Sequence, residues 1–584
     1  MAITGPSCDE DGSVRISRRG FLRASAAFSL SLATVGAGAL LRECGQLTDD
    51  APPFPVEGVP AGRASSLIDY ASLDPRNPVN FASPLNLPRR EGGLFGILDA
   101  SSTPIDLVAR RHEVELVPGR RIDAFVYQVE SNGKTYLNPV LRANKGSLLS
   151  VRLVNSIGEE TIVHWHGLHV DWRNDGHPIY AIRDDQSYSY SFTLQNPGAA
   201  YWYHPHPHPL TGRQTYLGLA GFVLVEDEET LDLGRQLDLE LGVTDIPLAI
   251  QDKRFDDRGN LTYLSGPQEQ FSGFLGDVVV VNMAINPALD VSTRLYRFRI
   301  LNDSNARTYR LAFARGSEGM PFYLIGTDGG LLARPQQVRE VFLSPAERVD
   351  VLLDMSALDE GDTVFLKSLA FDPMHGEMAD MGEMQPEDEA GGMDDAQQDQ
   401  TMGGMGQSRL REGEEFYLLR LAVRTRVAYD KAIPETLAGF VSIDTRSAGV
   451  RPFTLSSSTM QWLINGQRFE IDRTLFKVER NSTEVWEVTN DIVSMPHPMH
   501  LHGFQFQVLG RRNSPRQTQV LAIDEEMRLP TDLGRKDTVL VWPGETVRIA
   551  VDFSAAFPGD QTYLFHCHNL EHEDMGMMVN YQLI

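Results

Sequence analysis

Short runs of alternating apolar and polar residues dominate the chain after about residue 90. Examples are His112-Glu-Val-Glu-Leu116, Leu148-Leu-Ser-Val-Arg-Leu-Val154 and Gly221-Phe-Val-Leu-Val225, with Gly, Asn, Asp and Pro between the runs. A period of two is typical of strands that bury one face, and many short strands between turn residues are typical of β-sandwiches. We therefore predict an all-β protein.

Three strand-like segments that end in asparagine indicate an internal repeat. They are Val151-Arg-Leu-Val-Asn155, Phe298-Arg-Ile-Leu-Asn302 and Trp486-Glu-Val-Thr-Asn490. Likewise, Tyr201-Trp-Tyr-His-Pro-His206 mirrors Tyr563-Leu-Phe-His-Cys-His568. The repeat predicts three related sandwiches, of which the first and last carry histidines and the middle one is a spacer. We place these domains at 91–230, 235–428 and 445–584, after a Pro-, Ser-, Ala- and Gly-rich linker or arm at 46–90.

Histidine and cysteine positions predict metal sites. Four His-x-His pairs occur, at His164/His166, His204/His206, His500/His502 and His566/His568. Their eight imidazoles suffice for one metal ion with two ligands and two ions with three each. Alternate residues of a strand face opposite sides, so Cys567 faces away from His566 and His568 and one tripeptide serves two sites.

A fourth metal site is predicted around Cys567. With His497, His572 and Met577, this residue supplies the thiolate, two imidazoles and thioether of a blue-copper site. Taken singly, these residues fit bland alternatives: surface or core histidines, a buried structural thiol and core methionine. However, ten of the fifteen histidines fall into these clusters, which favours ligands.

At these residues the chain resembles the three-domain multicopper oxidases, the family of laccases, bilirubin oxidases and bacterial cuprous oxidases. The resemblance runs from about residue 90 to the C-terminus and implies three tandem cupredoxin-like Greek-key β-sandwich domains. It also implies four copper ions, with the trinuclear cluster between the first and third domains. The implied ligands are His497, Cys567, His572 and Met577 for type 1 copper, His164 and His500 for type 2, and His166, His204, His206, His502, His566 and His568 for the type 3 pair. The middle-domain segment Tyr323-Leu-Ile-Gly-Thr-Asp-Gly329 is also family-like but offers no thiolate.

The resemblance implies an oxidoreductase that passes single electrons from a reductant to the cluster and reduces O₂ to water. Asp175 and Glu573 match acidic positions that relay protons in the family; a turn cap for Asp175 and a solvated face for Glu573 are the alternatives. Phenolic substrates would need an accessible edge of His497 or His572. Two other functions stay open: a dedicated cuprous oxidase for periplasmic copper tolerance and homeostasis, and a copper-binding or structural protein of the same fold without turnover.

Residues 372–406 break the pattern. They hold seven methionines among Gly, Asp and Glu, which fits a disordered acidic loop but also resembles the methionine-rich insert of bacterial cuprous oxidases. Thioethers prefer Cu(I), so Met374, Met378, Met381 and Met384 are candidate ligands for a Cu(I) substrate, together with Met495 near His497. His375 is a further candidate.

The first 45 residues have the pattern of an export signal. Ser17-Arg-Arg-Gly-Phe-Leu-Arg23 resembles a twin-arginine signal and precedes an apolar stretch from Ala24 to Leu41, although a membrane helix is the alternative. Of three cysteines, Cys8 and Cys44 lie in this leader and only Cys567 lies in the body, so an intradomain disulfide framework is excluded there. We expect export by the twin-arginine machinery to the periplasm or the extracellular space.

Length and charge narrow the class further. A chain of 584 residues is too long for one core. A net charge of −26 argues against nucleic acid and anionic membranes as partners and favours solubility and cationic ligands. Small reductants and O₂ are the partners that the family resemblance implies. We expect a monomer.

Overall fold

The structure is a computed structural model that describes residues 68–101, 104–117, 119–375, 408–555 and 557–584. The export signal predicted at 1–45 lies outside these residues. So does most of the methionine-rich insert, including Met378, Met381 and Met384. Within the described ranges, none of the helices has the length and apolar character needed to cross a membrane.

The described part of the predicted arm lies along the middle sandwich. It contains helix α1 (Tyr70–Leu73), a 3-10 turn (Pro78–Asn80) and strand β1 (Ser83–Pro84). Strand β1 pairs in parallel with the strand that begins at Pro287, and the Tyr70 hydroxyl donates to the backbone oxygen of Phe255 at 2.6 Å.

The first sandwich consists of a six-stranded and a five-stranded sheet. Its strands are β2 (Gly93–Leu94), β3 (Ile97–Asp99), β4 (Ile105–Val117), β5 (Arg120–Ser131), β6 (Lys134–Leu137), β7 (Val140–Asn144), β8 (Leu148–Ser156), β9 (Val163–His166), β10 (Ser187–Thr193), β11 (Ala199–Pro205) and β12 (Gly221–Glu226), with helix α2 (Thr211–Tyr216) and a 3-10 turn (Pro178–Tyr180). The sheet orders are β10-β8-β4-β5-β6-β2 and β3-β7-β12-β11-β9. Helix α3 (Glu228–Gln236) leads to the next sandwich.

The middle sandwich consists of two seven-stranded sheets. Its strands are β13 (Asp245–Lys253), β14 (Val278–Val281), β15 (Ala284–Ile285), β16 (Pro287–Ser292), β17 (Leu295–Asn302), β18 (Tyr309–Arg315), β19 (Glu318–Met320), β20 (Phe322–Thr327), β21 (Gly330–Val338), β22 (Val341–Leu343), β23 (Arg348–Asp354), β24 (Thr363–Ser368) and β25 (Phe416–Thr425), with helix α4 (Pro267–Ser272). The orders are β1-β16-β25-β24-β18-β19, with β22 on β18, and β15-β14-β13-β17-β23-β20-β21.

The third sandwich consists of two five-stranded sheets. Its strands are β26 (Gly449–Ser458), β27 (Gln461–Ile464), β28 (Thr474–Val478), β29 (Thr483–Asn490), β30 (His497–Leu501), β31 (Phe506–Arg512), β32 (Thr538–Val541), β33 (Thr546–Asp552), β34 (Gln561–Cys567) and β35 (Met578–Leu583), with helices α5 (Arg516–Gln519) and α6 (Leu570–Asp574) and a 3-10 turn (Pro530–Asp532). The orders are β27-β26-β29-β33-β31 and β28-β35-β34-β30-β32.

Burial along the strands explains where the histidines lie. Strand β8 alternates between buried and more exposed residues, as expected of a strand with one face on the core. In contrast, every residue of β9, β11 and β30 is buried. Strands buried on both faces lie between layers, so the His-x-His pairs belong to the contact between sandwiches.

The predicted all-β class and the three sandwiches are confirmed, whereas the domain limits stay predictions. The sandwiches also share core: Trp202, Phe222 and Leu224 of the first pack in one cluster with Val280 and Leu301 of the middle one.

Candidate metal centres

The first candidate centre surrounds the sulfur of Cys567. The Nδ1 atoms of His497 and His572 lie 3.5 and 3.7 Å from Cys567 Sγ, and all three side chains are buried. Strands β34 and β30 are antiparallel neighbours, with Cys567 opposite Met499, which brings the start of β30 beside the sulfur. His572 arrives from helix α6.

Local hydrogen bonds set the turn after the cysteine. The Asn569 side chain caps α6 by accepting from the backbone N–H of His572 at 3.4 Å, and the Asn569 N–H points to Cys567 Sγ at 3.4 Å. Asparagine is a favoured N-cap residue. The backbone of Met577 bonds to both His572 and Cys567, at 2.8 and 3.0 Å, so its buried side chain belongs to the same core cluster as the cysteine.

The outer nitrogen of each imidazole is already engaged. His572 Nε2 lies 2.9 Å from the backbone oxygen of Phe271, and His497 Nε2 lies 3.1 Å from Ser494 Oγ. Such partners fix the tautomer of a ligand histidine and leave the other nitrogen for the metal. The Nδ1 atoms are therefore the donors that face the sulfur.

The eight paired histidines form a second centre. Their donor atoms converge in three sets: His166 with His204 and His568; His206 with His502 and His566; and His164 with His500. His502 Nε2 and His566 Nε2 are 2.9 Å apart, and His164 Nε2 and His500 Nε2 are 3.3 Å apart. The structure thus brings all eight predicted histidines together.

Strand register explains this convergence. In the first sandwich, His204 on β11 pairs with His164 on β9, and in the third, His566 on β34 pairs with His500 on β30. Each sandwich therefore presents four imidazoles at one edge, and docking the two edges completes the cluster.

The chemistry of this donor set fits metal ions. Burial lowers the pKa of His204 and His497 to about 3 and of His206 to about 4, so these imidazoles are neutral. His166 Nδ1, His204 Nε2 and both ring nitrogens of His206 and His568 lack a hydrogen-bond partner among the described residues. Buried polar atoms without partners are rare, and an ion would satisfy them. Burial also raises the pKa of the Cys567 thiol, so a metal must displace its proton.

Comparison with known proteins decides the family. Family models described as multicopper oxidase match residues 123–230 and 444–583. The multicopper oxidase mco of Staphylococcus haemolyticus is 30% identical over 446 residues, which cover 76% of this chain and 81% of the relative. The chain belongs to the multicopper oxidases.

Two further relatives agree with this assignment. A laccase of Bacillus subtilis is 30% identical over 454 residues, covering 72% of this chain and 79% of the laccase. The crystal structure of the McoA multicopper oxidase of Aquifex aeolicus matches with a TM-score of 0.73 and 39% identity, covering 86% of this chain and 99% of McoA. The predicted cupredoxin-like fold and oxidoreductase class are confirmed, and family membership implies copper.

Two buried carboxylates contact the histidine cluster of this multicopper oxidase. Asp175 Oδ2 lies 2.7 Å from His502 Nδ1, and burial raises the pKa of Asp175 well above its ordinary value. Glu573 Oε2 lies 3.2 Å from His566 Nδ1. Burial opposes the ionisation of Glu573, but the imidazoles of His206 and His566 outweigh it and lower its pKa. The solvated-face alternative for Glu573 is wrong, because the side chain is buried.

Sequence reasoning missed a third carboxylate. Asp537 Oδ1 lies 3.0 Å from His166 Nε2, and the backbone oxygen of Asp537 lies 2.8 Å from His500 Nδ1. A single acid in Arg535-Lys-Asp-Thr538 has no spacing pattern, so only its position in the fold reveals it.

The described candidates for Cu(I) binding lie apart from an open surface. Met495 is buried in the core of the third sandwich, and Met374 is partly buried against Phe342, Leu540 and Trp542. His375 Nε2 lies 3.0 Å from Glu412 Oε2. The accessible edge expected for a phenol oxidase is absent in the described residues, since His497 and His572 are both 0% exposed.

Two histidines without a predicted role connect the first and third sandwiches. His177 Nε2 lies 2.8 Å from Asn580 Oδ1, and His169 Nδ1 lies 2.5 Å from the backbone oxygen of Gly503. Each of these bonds crosses the contact on which the histidine cluster depends.

Proposed function

We propose that this multicopper oxidase binds four copper ions and couples one-electron oxidation of Cu(I), or of small phenolic donors, to the four-electron reduction of O₂ to water. The observation that carries the proposal is the tripeptide His566-Cys-His568, which contributes a donor to each candidate centre. A surface or purely structural role for these residues explains neither the burial of all three nor their convergence with the eight other candidate histidine ligands.

The donor sets correspond to three kinds of copper site. Type 1 copper is assigned to His497, Cys567, His572 and Met577; type 2 copper to His164 and His500; and the type 3 pair to His166, His204 and His568 on one ion and His206, His502 and His566 on the other. Copper in these sites supplies one-electron redox chemistry at the thiolate and four-electron reduction of O₂ at the cluster.

Connection between the two centres is covalent. The sulfur of Cys567 is joined to the rings of His566 and His568 through the bonds of one tripeptide. Because β34 is extended, the sulfur projects to one side of the strand and the rings to the other. The chain itself therefore links the site that accepts electrons to the site that uses them.

Asp175 and Glu573 are proposed to manage the protons that O₂ reduction consumes. Asp175 Oδ2 accepts from His502 Nδ1, while Asp175 Oδ1 lacks a partner among the described residues. Burial raises the pKa of Asp175, which favours the protonated acid, and Oδ1 is the oxygen available to carry that proton. The imidazoles of His206 and His566 lower the pKa of Glu573, which favours its carboxylate form. Because the pKa of Asp175 is raised and the pKa of Glu573 is lowered, Asp175 suits the role of proton donor and Glu573 that of proton acceptor.

The side chains of Phe271 and Trp462, which cover His572, favour a small electron donor such as Cu(I). Helix α4 places Phe271 on the Nε2 side of His572, and the Phe271 and Trp462 rings stack at 4.6 Å. Trp462 also lies 4.9 Å from the His572 ring. A bulky phenol therefore has no direct contact with the imidazole in this conformation, whereas Cu(I) needs only soft ligands such as thioethers nearby.

The described residues that flank the methionine-rich insert are His375 and Ser408. On one side, His375 Nε2 lies 3.0 Å from Glu412 Oε2. At the other end, Ser408 Oγ donates at 2.7 Å to Gly276, shortly after α4. These positions support delivery of Cu(I) by the insert.

Spectra and a copper count on the purified holoprotein test the metal assignment. We expect four copper ions for each chain, the blue absorption of a copper thiolate, and separate type 1 and type 2 EPR signals. Fewer ions together with a missing type 2 signal would contradict the cluster. Oxygen uptake with an electron donor separates an oxidase from a copper-storage or structural protein, which would consume none.

Steady-state assays with Cu(I) and with 2,6-dimethoxyphenol test the substrate. They compare the full-length protein with a variant that lacks residues 376–407, after both are shown to hold equal copper. We expect the deletion to weaken Cu(I) oxidation and to raise phenol oxidation. No change in either rate would remove the insert from the proposal.

We further propose export through the twin-arginine pathway to the periplasm or the extracellular space. Cell fractionation of the double variant Arg18→Lys, Arg19→Lys tests it: retention of the chain inside the cell is expected. Normal export of this variant would exclude the pathway.

A further inference from the structure

The middle sandwich reaches the histidine cluster through a buried group of charges. Its members are Asp328, in the turn between β20 and β21, Arg348 at the start of β23, and Lys536 and Asp537 of the third sandwich. Each of these four side chains is at most 2% exposed. Asp328 lies in the family-like segment that the sequence leaves without a role.

The turn that carries Asp328 forms hydrogen bonds with the backbone of the third sandwich. The Gly329 N–H and the Thr327 hydroxyl both donate to the backbone oxygen of Arg535, at 2.8 and 3.1 Å. Asp328 Oδ2 accepts from Lys536 Nζ at 3.0 Å. A Cβ atom on Gly329 would lie 2.7 Å from Cβ of Arg535, so the contact is close-packed.

Arg348 joins all three sandwiches. Its two terminal nitrogens donate to the two carboxylate oxygens of Asp537, at 2.8 and 2.5 Å, and its Nε donates at 3.1 Å to the backbone oxygen of Ala200 in the first sandwich. Burial opposes the charge on Arg348, but the carboxylates of Asp537 and Asp328 outweigh it and raise its pKa. A bidentate guanidinium holds a carboxylate in one orientation.

That orientation aims Asp537 at a candidate copper ligand. Asp537 Oδ1 lies 3.0 Å from His166 Nε2, so Nε2 carries the proton and the unpartnered Nδ1 keeps its lone pair for the metal. Gly167, at φ +82°, allows the approach, since a Cβ atom there would lie 2.3 Å from Asp537 Oδ2 and 2.9 Å from an Arg348 nitrogen.

We propose that the middle sandwich is part of the trinuclear site, and that Arg348 and Asp328 are positioning residues that set the ligating nitrogen of His166 through Asp537. This inference rests on the proposed copper cluster. It replaces the spacer role predicted from the repeat, because a spacer would not place a buried bidentate arginine on the hydrogen-bond partner of a ligand.

A merely structural ion pair is the competing explanation. Buried ion pairs contribute little net stability compared with apolar packing, but breaking one by removal of a partner destabilises the fold. A loss of stability alone therefore does not distinguish the two roles. Copper binding at the cluster, with type 1 copper as an internal reference, does.

The test uses three variants of the full-length protein. Arg348→Met removes the guanidinium, and Arg348→Lys keeps the positive charge but loses the bidentate hydrogen bonds to Asp537. Arg297→Met is the matched control. Arg297 lies on the adjacent strand β17, is equally buried and binds Asp350 bidentately. In the described part of the chain it contacts neither Asp537 nor a ligand histidine. The readouts are copper content after chelator competition, type 1 and type 2 EPR signals, blue absorption and unfolding of the metal-free protein.

We expect Arg348→Met to lower copper affinity at the cluster about 10- to 100-fold, the range for partners of metal ligands. Arg348→Lys should show a smaller loss, with an altered type 2 signal. Both should keep the blue absorption, and Arg297→Met should keep full copper even where its unfolding midpoint falls as far.

Wild-type cluster copper and EPR signals in Arg348→Lys would overturn the inference even if Arg348→Met fails to fold. Equal copper loss in Arg297→Met would overturn it as well. In both cases the wild-type protein still shows its type 2 signal, so the proposed function stands. Absence of that signal from the wild type would instead contradict the proposed function and this inference with it.

Discussion

Strands β11 and β34 carry the same His-x-His pattern in the same place, yet only one has a site for a blue copper. Both lie in a five-stranded sheet of their sandwich, and the first histidine of each pair faces a histidine on the neighbouring strand, His204 opposite His164 and His566 opposite His500. The residue between the pair is Pro205 in β11 and Cys567 in β34.

The residues around that central position differ as well. His497 precedes His500 by three residues, and the matching residue before His164 is Thr161, whose hydroxyl donates to Gln214 at 2.8 Å. His572 follows His568 by four residues, and the matching residue after His206 is Leu210. The shared His-x-His pattern therefore builds half of the cluster in each sandwich, whereas a mononuclear site needs a thiolate and two further imidazoles.

Cys567→Ser makes β34 resemble β11 and should have the largest effect. A hydroxyl is a poor ligand compared with a thiolate, so the blue absorption should disappear and O₂ consumption should fall to the background of metal-free protein. The type 2 EPR signal should persist, because the eight histidines are untouched. Full blue colour with undiminished O₂ consumption would show that the two centres are not linked through this residue.

The two acids extend the comparison to proton supply, since Asp175 belongs to the first sandwich and Glu573 to the third. We expect Asp175→Asn to lower turnover about 100-fold, within the range for general acid–base groups. The blue absorption should be unchanged, because Asp175 contacts cluster histidines and not the sulfur. Loss of blue colour in this variant would refute a role confined to protons.

Glu573→Gln provides the matched measurement on the acid of the third sandwich. A similar fall in turnover is expected, because glutamine cannot accept the protons that the carboxylate accepts. Rates measured over a pH series with saturating donor separate the two acids. An unchanged pH profile in both variants would exclude proton relay by either.

His177 tests the contact that holds the two sandwiches together. Burial lowers its pKa to about 4, although its bond to Asn580 acts in the opposite direction. Between about pH 4 and about pH 6.5, the His177 imidazole is therefore protonated in the unfolded chain but neutral in the folded protein. Its stabilising contribution is complete above about pH 6.5 and is lost as the pH falls toward 4, a change of about 3 kcal/mol at most.

Urea unfolding of the wild type and of His177→Gln, at about pH 7.5 and about pH 5, measures this effect. The stability advantage of the wild type should shrink at the lower pH. The comparison between variants removes the contribution of the other buried histidines. An advantage that is independent of pH would show that His177 does not titrate with folding.

Pro205→Cys makes β11 resemble β34 and should have the smallest effect. The new thiol lacks the two imidazoles, since Thr161 and Leu210 occupy their places. We expect no second blue absorption and an unchanged copper count. A second copper–thiolate band would show that the central residue alone decides the site.

The ligand pattern was predictable because it is local. The His-x-His pairs, the spacing of Cys567 from His572 and Met577, and the period of two follow from strand geometry over a few residues. The repeat likewise predicted two histidine-bearing sandwiches. The cover over His572 was not predictable, because α4 comes from the middle sandwich and nothing near His572 in the sequence announces it.

The sequence by itself determined which side chains offer copper ligands and on which kind of strand they lie, since both depend on residue type and short spacings. The tertiary structure alone decided how six of the paired imidazoles divide into two sets of three, which ring nitrogen of His166 is left for a metal, and that Arg348, Asp328 and Asp537 meet beside His166. Those outcomes depend on contacts between residues far apart in the chain, such as the 189 positions between Arg348 and Asp537. Docking of the sandwiches creates these contacts, and a lone arginine or aspartate leaves no periodic signal of them.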